Sequence, residues 1–288
     1  MDGVTAVVCA HDSAHALPDC LAALRRDGVP VLVVDNASTD ATAALAERAG
    51  ATVLRQARND GFGRAMNAGV AAASSEYCLL TNPDLVYGPG AVATLMAAAE
   101  RWPDAGALAP RLVEPDGRVF WQARSLLAAV LTNPPGRLAL PEGDCCAPFL
   151  SGASLLVRRD RFLAMGGFDP QIFLFYEDDD LCRRMTDAGQ ALVHVQAATA
   201  RHGRGRSTAP GPGRVFRSRW HMAWSRCYVS RKWGLKDPAV ATLATNAPKA
   251  LGAALIGRRD LVERYGGSAA GARAWLAGQS ALAREGLA

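Results

Sequence analysis

The chain has 288 residues, 50% hydrophobic and 20% charged, with a formal net charge of +5. That is chain enough for one large domain or two small ones, and the balance excludes a disordered, collagenous or disulfide-scaffold protein. No run approaches the ~18 apolar residues of a membrane span, and Met1-Asp2-Gly3-Val4 lacks the basic and apolar stretches of a signal peptide, so a cytoplasmic location is expected.

The first half alternates strand and helix signals. Val4–Cys9 is a short apolar run with β-branched residues and reads as a buried strand. Leu17, Leu21 and Leu24 follow at helical spacing, and Val31–Val34 is a second strand. Ser38 or Thr39 is expected to cap a helix over Asp40–Ala49, stopped at Gly50. Ala51–Leu54 is a third strand, Gly63–Ala73 a helix and Tyr77–Thr81 a fourth strand. Pro89 opens a helix with Val92, Leu95, Met96 and Ala99 on one face, and Gly106–Ala109 returns as a strand. Such alternation predicts an α/β fold with a mostly parallel central sheet flanked by helices.

After Pro110 the pattern changes. Arg111–Val113 and Arg118–Trp121 flank the turn signal Glu114-Pro115-Asp116-Gly117, predicting a hairpin. Asn133–Pro148 reads as a loop, Phe149–Val157 as a strand, Glu177–Ala188 as a helix ending at Gly189, and Ala191–Val195 as a strand. Thr208–Gly213 is a Pro/Gly linker, and the tail after it is helical in pattern. The predicted organisation is a domain over 1–207, with halves about 1–110 and 111–207, and a basic helical extension over 208–288.

Seven cysteines lie scattered with no C-x-x-C pair, which predicts reduced, mostly buried thiols and no zinc ribbon. Charge is uneven: Arg201–Lys236 holds ten Lys/Arg and no carboxylate. That segment suits an anionic partner such as a phosphate, a nucleic acid or a membrane surface.

In open parallel sheets ligands sit at the carboxyl ends of the strands. Polar residues gather after each of the first four: Ala10-His11-Asp12-Ser13, Asp35-Asn36, Asn59-Asp60-Gly61-Phe62-Gly63, and Asn82-Pro83-Asp84. Turns favour these residue types anyway, but four clusters in succession point to a site. Asp35 suits hydrogen bonds from a ribose or base N–H. Asp84 and Asn82 make a poor closed cage but suit an open Mg²⁺ or Mn²⁺ site shared with substrate phosphates. Glu177-Asp178-Asp179-Asp180 begins a helix; the helix dipole and i,i+4 pairs Asp179–Arg183 and Asp180–Arg184 account for part of it. The remaining crowding should raise at least one pKa, as suits a general base. His202 lies among Arg201, Arg204 and Arg206, which suit a diphosphate leaving group.

Taken in order, Val34–Asp40, Asn59–Gly69, Thr81–Leu85, Ser151-Gly152-Ala153 and Gly166–Asp169 running into Tyr176–Arg184 resemble the family 2 inverting glycosyltransferases of the GT-A fold, in particular their rhamnosyltransferase-like branch. The resemblance covers about residues 4–207. It implies a nucleotide-diphosphate sugar donor, TDP- or UDP-linked, and a hydroxyl acceptor. It further implies donor contacts from Ala10, His11, Asp12, Asp35, Asn36, Asn59, Gly61, Phe62, Arg64, Asn67 and Asn82. The metal would lie on Asp84 and His202, the diphosphate on Arg201, Arg204 or Arg206, and acceptor contacts on Gly152, Tyr176 and Asp180. Asp178 matches the catalytic base, with Glu177 or Asp180 able to share that role. This chain departs from the family in carrying Ala10-His11-Asp12 where Thr-Tyr-Asn is usual, and in the acidic Asp179.

Three other readings compete. The basic segment 201–236, with Trp220, Trp224, Tyr228 and Trp233 interleaved, would suit base stacking or, better, peripheral contact with the inner face of a membrane. A nucleotidyltransferase would want a Gly-rich basic loop after the first strand, where His11 and Asp12 stand. A catalytically silent glycosyltransferase-like protein is opposed by the presence of Asp84, Asp178 and His202.

Overall fold

The computed structural model describes residues 3–121, 125–127, 140–203, 205, 207–209 and 211–287. The chain divides into two compact units: residues 1–60, 64–168 and 178–209 form the first, and residues 61–63, 169–177 and 210–288 the second.

The first unit carries the sheet. Strands β1 (Val4–Ala10), β2 (Val31–Asp35), β3 (Thr52–Arg55) and β4 (Tyr77–Thr81) are parallel, in the order β3-β2-β1-β4. Helices cover the faces, so the central strands are buried on both sides and their sequences are continuous apolar runs. Helix α1 (Leu17–Arg26) buries Leu17, Cys20, Leu21 and Leu24, the i, i+3, i+4, i+7 set of one face. Helix α2 (Thr42–Arg48) starts later than expected: Ser38 and Thr39 do not cap it, and Asp40 Oδ1 instead accepts from the Thr42 N–H at 2.9 Å. Helix α3 (Phe62–Ala72) follows β3. Its Gly69 lets it close on the sheet, since a Cβ there would lie 2.4 Å from Val7 Cγ1.

A three-residue strand not expected from the sequence, β5 (Leu85–Tyr87), precedes α4 (Ala91–Arg101). Then come β6 (Ala105–Val113) and β7 (Val119–Phe120), the expected hairpin. The two-residue strand β8 (Cys145–Cys146) lies within the stretch expected to be loop, and pairs with a later strand. Residues 133–139 of that stretch lie outside the described residues. Strand β9 (Ser154–Arg158) is shorter than the apolar run suggested: Phe149 and Leu150 are apolar because they are buried, at 6% and 3% exposure, not because they are extended. Helices α5 (Arg159–Ala164) and α6 (Glu177–Asp187) lead to β10 (Ala191–His202), which runs seven residues beyond the expected end through a register shift between Val195 and Thr199.

Among the described residues the full order is β3-β2-β1-β4-β9-β6-β10-β5. The sheet turns antiparallel at β9, which runs against both β4 and β6. The Tyr87 hydroxyl fixes this junction, donating to Thr81 Oγ1 at 2.9 Å and lying 2.7 Å from Ser154 Oγ. All three side chains are buried, so each polar atom needs these bonds.

The second unit is helical, with α7 (Arg214–Lys232), α8 (Ala239–Leu255), α9 (Arg259–Leu276) and α10 (Ala281–Arg284). Its core joins Phe173, Trp220, Trp224, Cys227, Trp275 and Leu282. Gly267 and Gly271 bring α9 onto α7, where a Cβ would meet the Phe216 and Trp220 carbonyl oxygens at 2.4 and 2.3 Å. Trp220 and Trp224 are 3% and 5% exposed, so these rings are core and do not offer faces to nucleic-acid bases.

Candidate active site

The loops leaving β1, β2 and β3 are tied into one platform. Asn36, 2% exposed, donates its backbone N–H to Ala10 O at 2.8 Å and its side-chain amide to Asn59 Oδ1 at 3.0 Å. Its own Oδ1 accepts from the Asp60 N–H at 2.9 Å. His11 Nδ1 lies 2.9 Å from the Asn36 carbonyl, which makes it the protonated ring nitrogen. Asp12 and Ala37 adopt left-handed backbone angles, φ 49° and 59°. Asp12 is held there by accepting from the Thr39 N–H at 2.7 Å, while the Ser38 hydroxyl accepts from the Asp12 N–H at 3.0 Å. This explains the missing helix cap: Ser38 and Thr39 are spent on joining two loops. Asp35, 5% exposed at the end of β2, accepts from the Ser38 N–H at 3.2 Å.

Asp84 lies between β4 and β5. Antiparallel pairing of β5 with the end of β10 sets His202 opposite Leu85, and His202 Nε2 lies 3.7 Å from Asp84 Oδ1. The Ser207 hydroxyl donates to the same Oδ1 at 2.6 Å, and the Gly203 N–H to the Asp84 carbonyl at 2.8 Å. A Cβ on Gly203 would stand 3.2 Å from Asp84 Oδ2, so a side chain there would crowd the carboxylate. Residues 207–209 then return to the β1 loop: Ser13 Oγ donates to Ser207 O at 2.6 Å, Thr208 Oγ1 to His11 O at 3.1 Å, and Ala209 N to Asp12 O at 3.1 Å.

The Asp84 turn is joined to the acidic helix through β9. The Asn82 N–H donates to Ala153 O at 3.0 Å, and the next turn residue, Gly152, donates its N–H to Asp178 Oδ2 at 2.9 Å. The Asp179 N–H donates to Asp178 Oδ1 at 3.0 Å. Gly152 leaves room for this contact: a Cβ would sit 3.1 Å from Asp178 Cβ, close enough to push that side chain. Burial raises the Asp178 carboxyl above its usual range, although the N–H donors pull the other way. Asp179 is pushed up to about 7, first by burial and then by the charge of Asp178, against hydrogen bonds from Ser125 and the Leu126 backbone. Its Oδ1 is buried and accepts no hydrogen bond among the described residues.

Several of the expected site residues have structural partners of their own. Asp180 is fully buried and bonded to Arg184 Nε at 2.8 Å, with that guanidinium also donating to Met165 O and Gly167 O, so it braces α6 and is not reachable by an acceptor. Arg183 pairs with Asp187 at 2.8 Å, not with Asp179. Asn67 spends both ends of its amide on the Phe168 backbone, at 2.8 Å each, and so clamps the fold. Gly61 and Phe62 belong to the second unit, where Phe62 N donates to Phe173 O at 3.0 Å and a Cβ on Gly61 would lie 2.4 Å from that oxygen. Arg201 and His202 are consecutive on a strand, so they point to opposite faces, and Arg201 is turned away from the Asp84 side. Arg204 and Arg206 lie outside the described residues. Arg64 is half-buried on α3. Glu177 is buried and follows Phe175 and Tyr176, both at φ 69°, a pair of left-handed non-glycine residues that must be held by their surroundings.

Sequence reading placed Ser13 in a polar cluster without a role, and missed Gly203, Ser207 and Thr208. Ser207 and Thr208 stand at the edge of a Pro/Gly stretch, and only the long return of β10 brings them back to Asp84.

The platform, the Asp–His pair and the raised carboxylates can be set beside known proteins. The sequence model of glycosyl transferase family 2 matches residues 5–163. An N-acetylglucosaminyl-diphospho-decaprenol L-rhamnosyltransferase of Mycobacterium tuberculosis is 32% identical over 247 residues, taking in 72% of this chain and 80% of that protein. Rhamnosyltransferase WbbL of Escherichia coli is 34% identical over 89 residues, 31% of this chain and 33% of its own. Among solved structures, the mannosyltransferase PcManGT of Pyrobaculum calidifontis, in complex with GDP-Man and Mn²⁺, matches with a TM-score of 0.58 at 17% identity, covering 95% of this chain and 87% of that one. S. aureus TarS 1-349 in complex with UDP-GlcNAc matches with a TM-score of 0.56 at 13% identity, covering 97% and 93%. These structures share the GT-A fold with this chain. The chain is a glycosyltransferase and belongs to glycosyl transferase family 2.

Proposed function

We propose that the protein moves a sugar, with inversion at the anomeric carbon, from a TDP- or UDP-linked donor to a hydroxyl of a lipid-diphosphate-linked sugar. The observation that carries this reading is the Asn82 N–H to Ala153 O bond, which sets the Asp84 turn beside the Gly152 turn that grips Asp178. In this reading the base and the diphosphate site stand on neighbouring turns. The acceptor class is suggested by the name of the M. tuberculosis relative.

Asp84 and His202 suit a divalent cation such as Mg²⁺ or Mn²⁺. Their donor set is one carboxylate oxygen and one imidazole nitrogen, facing each other at 3.7 Å. Among the described residues no third His, Cys, Asp or Glu joins them, so the protein would hold the ion openly and leave positions for diphosphate oxygens. A bound cation would neutralise charge on the departing diphosphate. The Asn36–Asn59–His11 platform supports the nucleoside, with Asp35 at its edge. Asp178 takes the proton of the acceptor hydroxyl as its oxygen bonds to the anomeric carbon and the bond to the diphosphate breaks. Gly152 orients that carboxylate.

The test is transfer by the purified full chain across UDP-, TDP- and GDP-sugars, with a polyprenyl-diphosphate sugar acceptor, in Mn²⁺, Mg²⁺ or EDTA. The expected result is transfer from one nucleotide class, lost in EDTA, giving the inverted anomer. Asp84→Asn should abolish the metal-dependent rise in melting temperature that the donor gives. A product of retained configuration would sink the mechanism, and full transfer in EDTA would sink the metal role.

A further inference from the structure

Helix α8 presents an apolar stripe to solvent. Val240, Ala244, Ala247, Leu251 and Leu255 recur at i, i+4, i+7, i+11 and i+15, and all are exposed. Val240, Leu251 and Leu255 are 67%, 65% and 81% exposed, and Ile256 just beyond them is 71% exposed. The helix turns its other side, with Ala239 and Ala253 buried, onto α9. An ordinary surface helix is polar where α8 is apolar. Between Val240 and Ile256 the one charged residue is Lys249, whose ammonium lies 5.6 Å from the Tyr265 ring centroid. Exposed Lys236 lies ahead of the helix and exposed Arg258 and Arg259 lie after it. The nearby acids are engaged: Asp237 accepts from Trp275 Nε1 and Asp260 pairs with Arg258. Residues 210–288 hold thirteen Lys/Arg against four Asp/Glu.

We infer that the α8 face is a membrane-docking surface that lies on an anionic bilayer, with Val240, Leu251, Leu255 and Ile256 entering the headgroup–acyl boundary and Lys236 and Arg259, at the two ends of the helix, meeting lipid phosphates. An apolar stripe fringed by cations is the chemistry that such an interface selects. A second copy of the chain would bring the same cations together, which opposes a two-fold contact through this face. No described helix is long and apolar enough to cross the bilayer, so α8 lies on it. The surface also relocates membrane contact from the α7 aromatics, Trp220 and Trp224, which are core.

The test is flotation of the full chain with phosphatidylcholine vesicles, with and without phosphatidylglycerol, at low and high salt. The vesicles carry no glycan acceptor, so this test stands apart from the acceptor proposed above. Wild type should float with the anionic vesicles and lose roughly tenfold in affinity without phosphatidylglycerol or at high salt. Leu251→Glu with Leu255→Glu should lose on the order of 30-fold while keeping its melting temperature. Lys236→Glu with Arg259→Glu leaves the stripe intact and should weaken binding about tenfold to anionic vesicles only. Failure of the wild type to float, or equal flotation of all three proteins, overturns the inference. A wild-type dimer that the leucine variant dissolves, with no vesicle binding, overturns it in favour of contact between copies.

Discussion

Carboxylates are buried in the first unit and half-buried in the second, and their protonation is driven in opposite directions. In the second unit, burial alone would raise Asp169, yet Lys232 at 2.6 Å, the Gln171 N–H and the Tyr228 hydroxyl outweigh it and hold the group below its usual range. Glu285 is likewise opposed by burial, and the bonds from His221 and Arg217 bring it down to about 2. In the first unit Asp178 and Asp179 have N–H and hydroxyl donors only, and both are raised. Asp180, one residue on, has Arg184. Within this acidic run Asp180 thus braces the helix while Asp178 and Asp179 are raised, decided by where the guanidinium lies. A cation-paired carboxylate holds helices together, whereas an acid left buried beside another is held near the pH at which a base must work.

The contrast breaks most visibly at Asp178. Asp178→Asn should lower kcat by about 10³-fold or more with donor binding kept, read as an unchanged donor-induced melting shift. A loss smaller than tenfold would move the base elsewhere. Glu285→Gln should reduce stability by about 2 kcal/mol at neutral pH and leave catalysis intact. The folded-state pKa lies below the unfolded one, so Glu285 stabilises fully above about 4.5 and loses that contribution as pH falls towards 2. Denaturant midpoints of the two proteins should therefore converge in acid; a gap that persists at low pH would refute the ion-pair account.

Gly152→Ala sharpens the comparison further. The new methyl would stand 3.1 Å from Asp178 Cβ and displace the carboxylate while leaving the N–H donor in place. The expected signature is a fall in kcat of about tenfold with little change in KM. A pure stability loss with normal kcat would mean that Gly152 serves the turn alone.

The alternating half of the fold was legible because its strands are buried on both faces and its helices on one, which writes two distinct periods into the sequence. Asp35 and Asp84 were legible as residues that follow strands, whereas His202 stood seven residues past the expected strand end. Three things were not. Strand β5 is three residues long and is fixed by its partner β10 rather than by its own pattern. The apolar run Phe149–Val157 could not reveal the turn at Ser151-Gly152-Ala153, because burial in a loop selects the same residues as burial in a strand. Asn67 and Asp180 looked like ligand contacts because a polar residue near a site reads alike whether it faces a substrate or satisfies a distant backbone; only the Phe168 and Arg184 contacts decide.

The smallest expected effect separates the two neighbouring acids. Asp179 is raised to about 7, whereas an unfolded aspartate titrates near 3.8. Between those values the folded chain keeps a proton that the unfolded chain has lost, so this group lowers stability as pH rises through the window. Asp179→Asn removes that penalty. The variant should match wild type at pH about 4 and exceed it by about 1 kcal/mol at pH about 8, measured by chemical denaturation. Its kcat should stay within about tenfold of wild type, and the acidic limb of its pH–rate profile should reduce to a single ionisation, since the two carboxyls titrate as a pair only while both are present. A loss of kcat as deep as that of Asp178→Asn would assign the proton transfer to Asp179 and leave Asp178, gripped by Gly152, as its support.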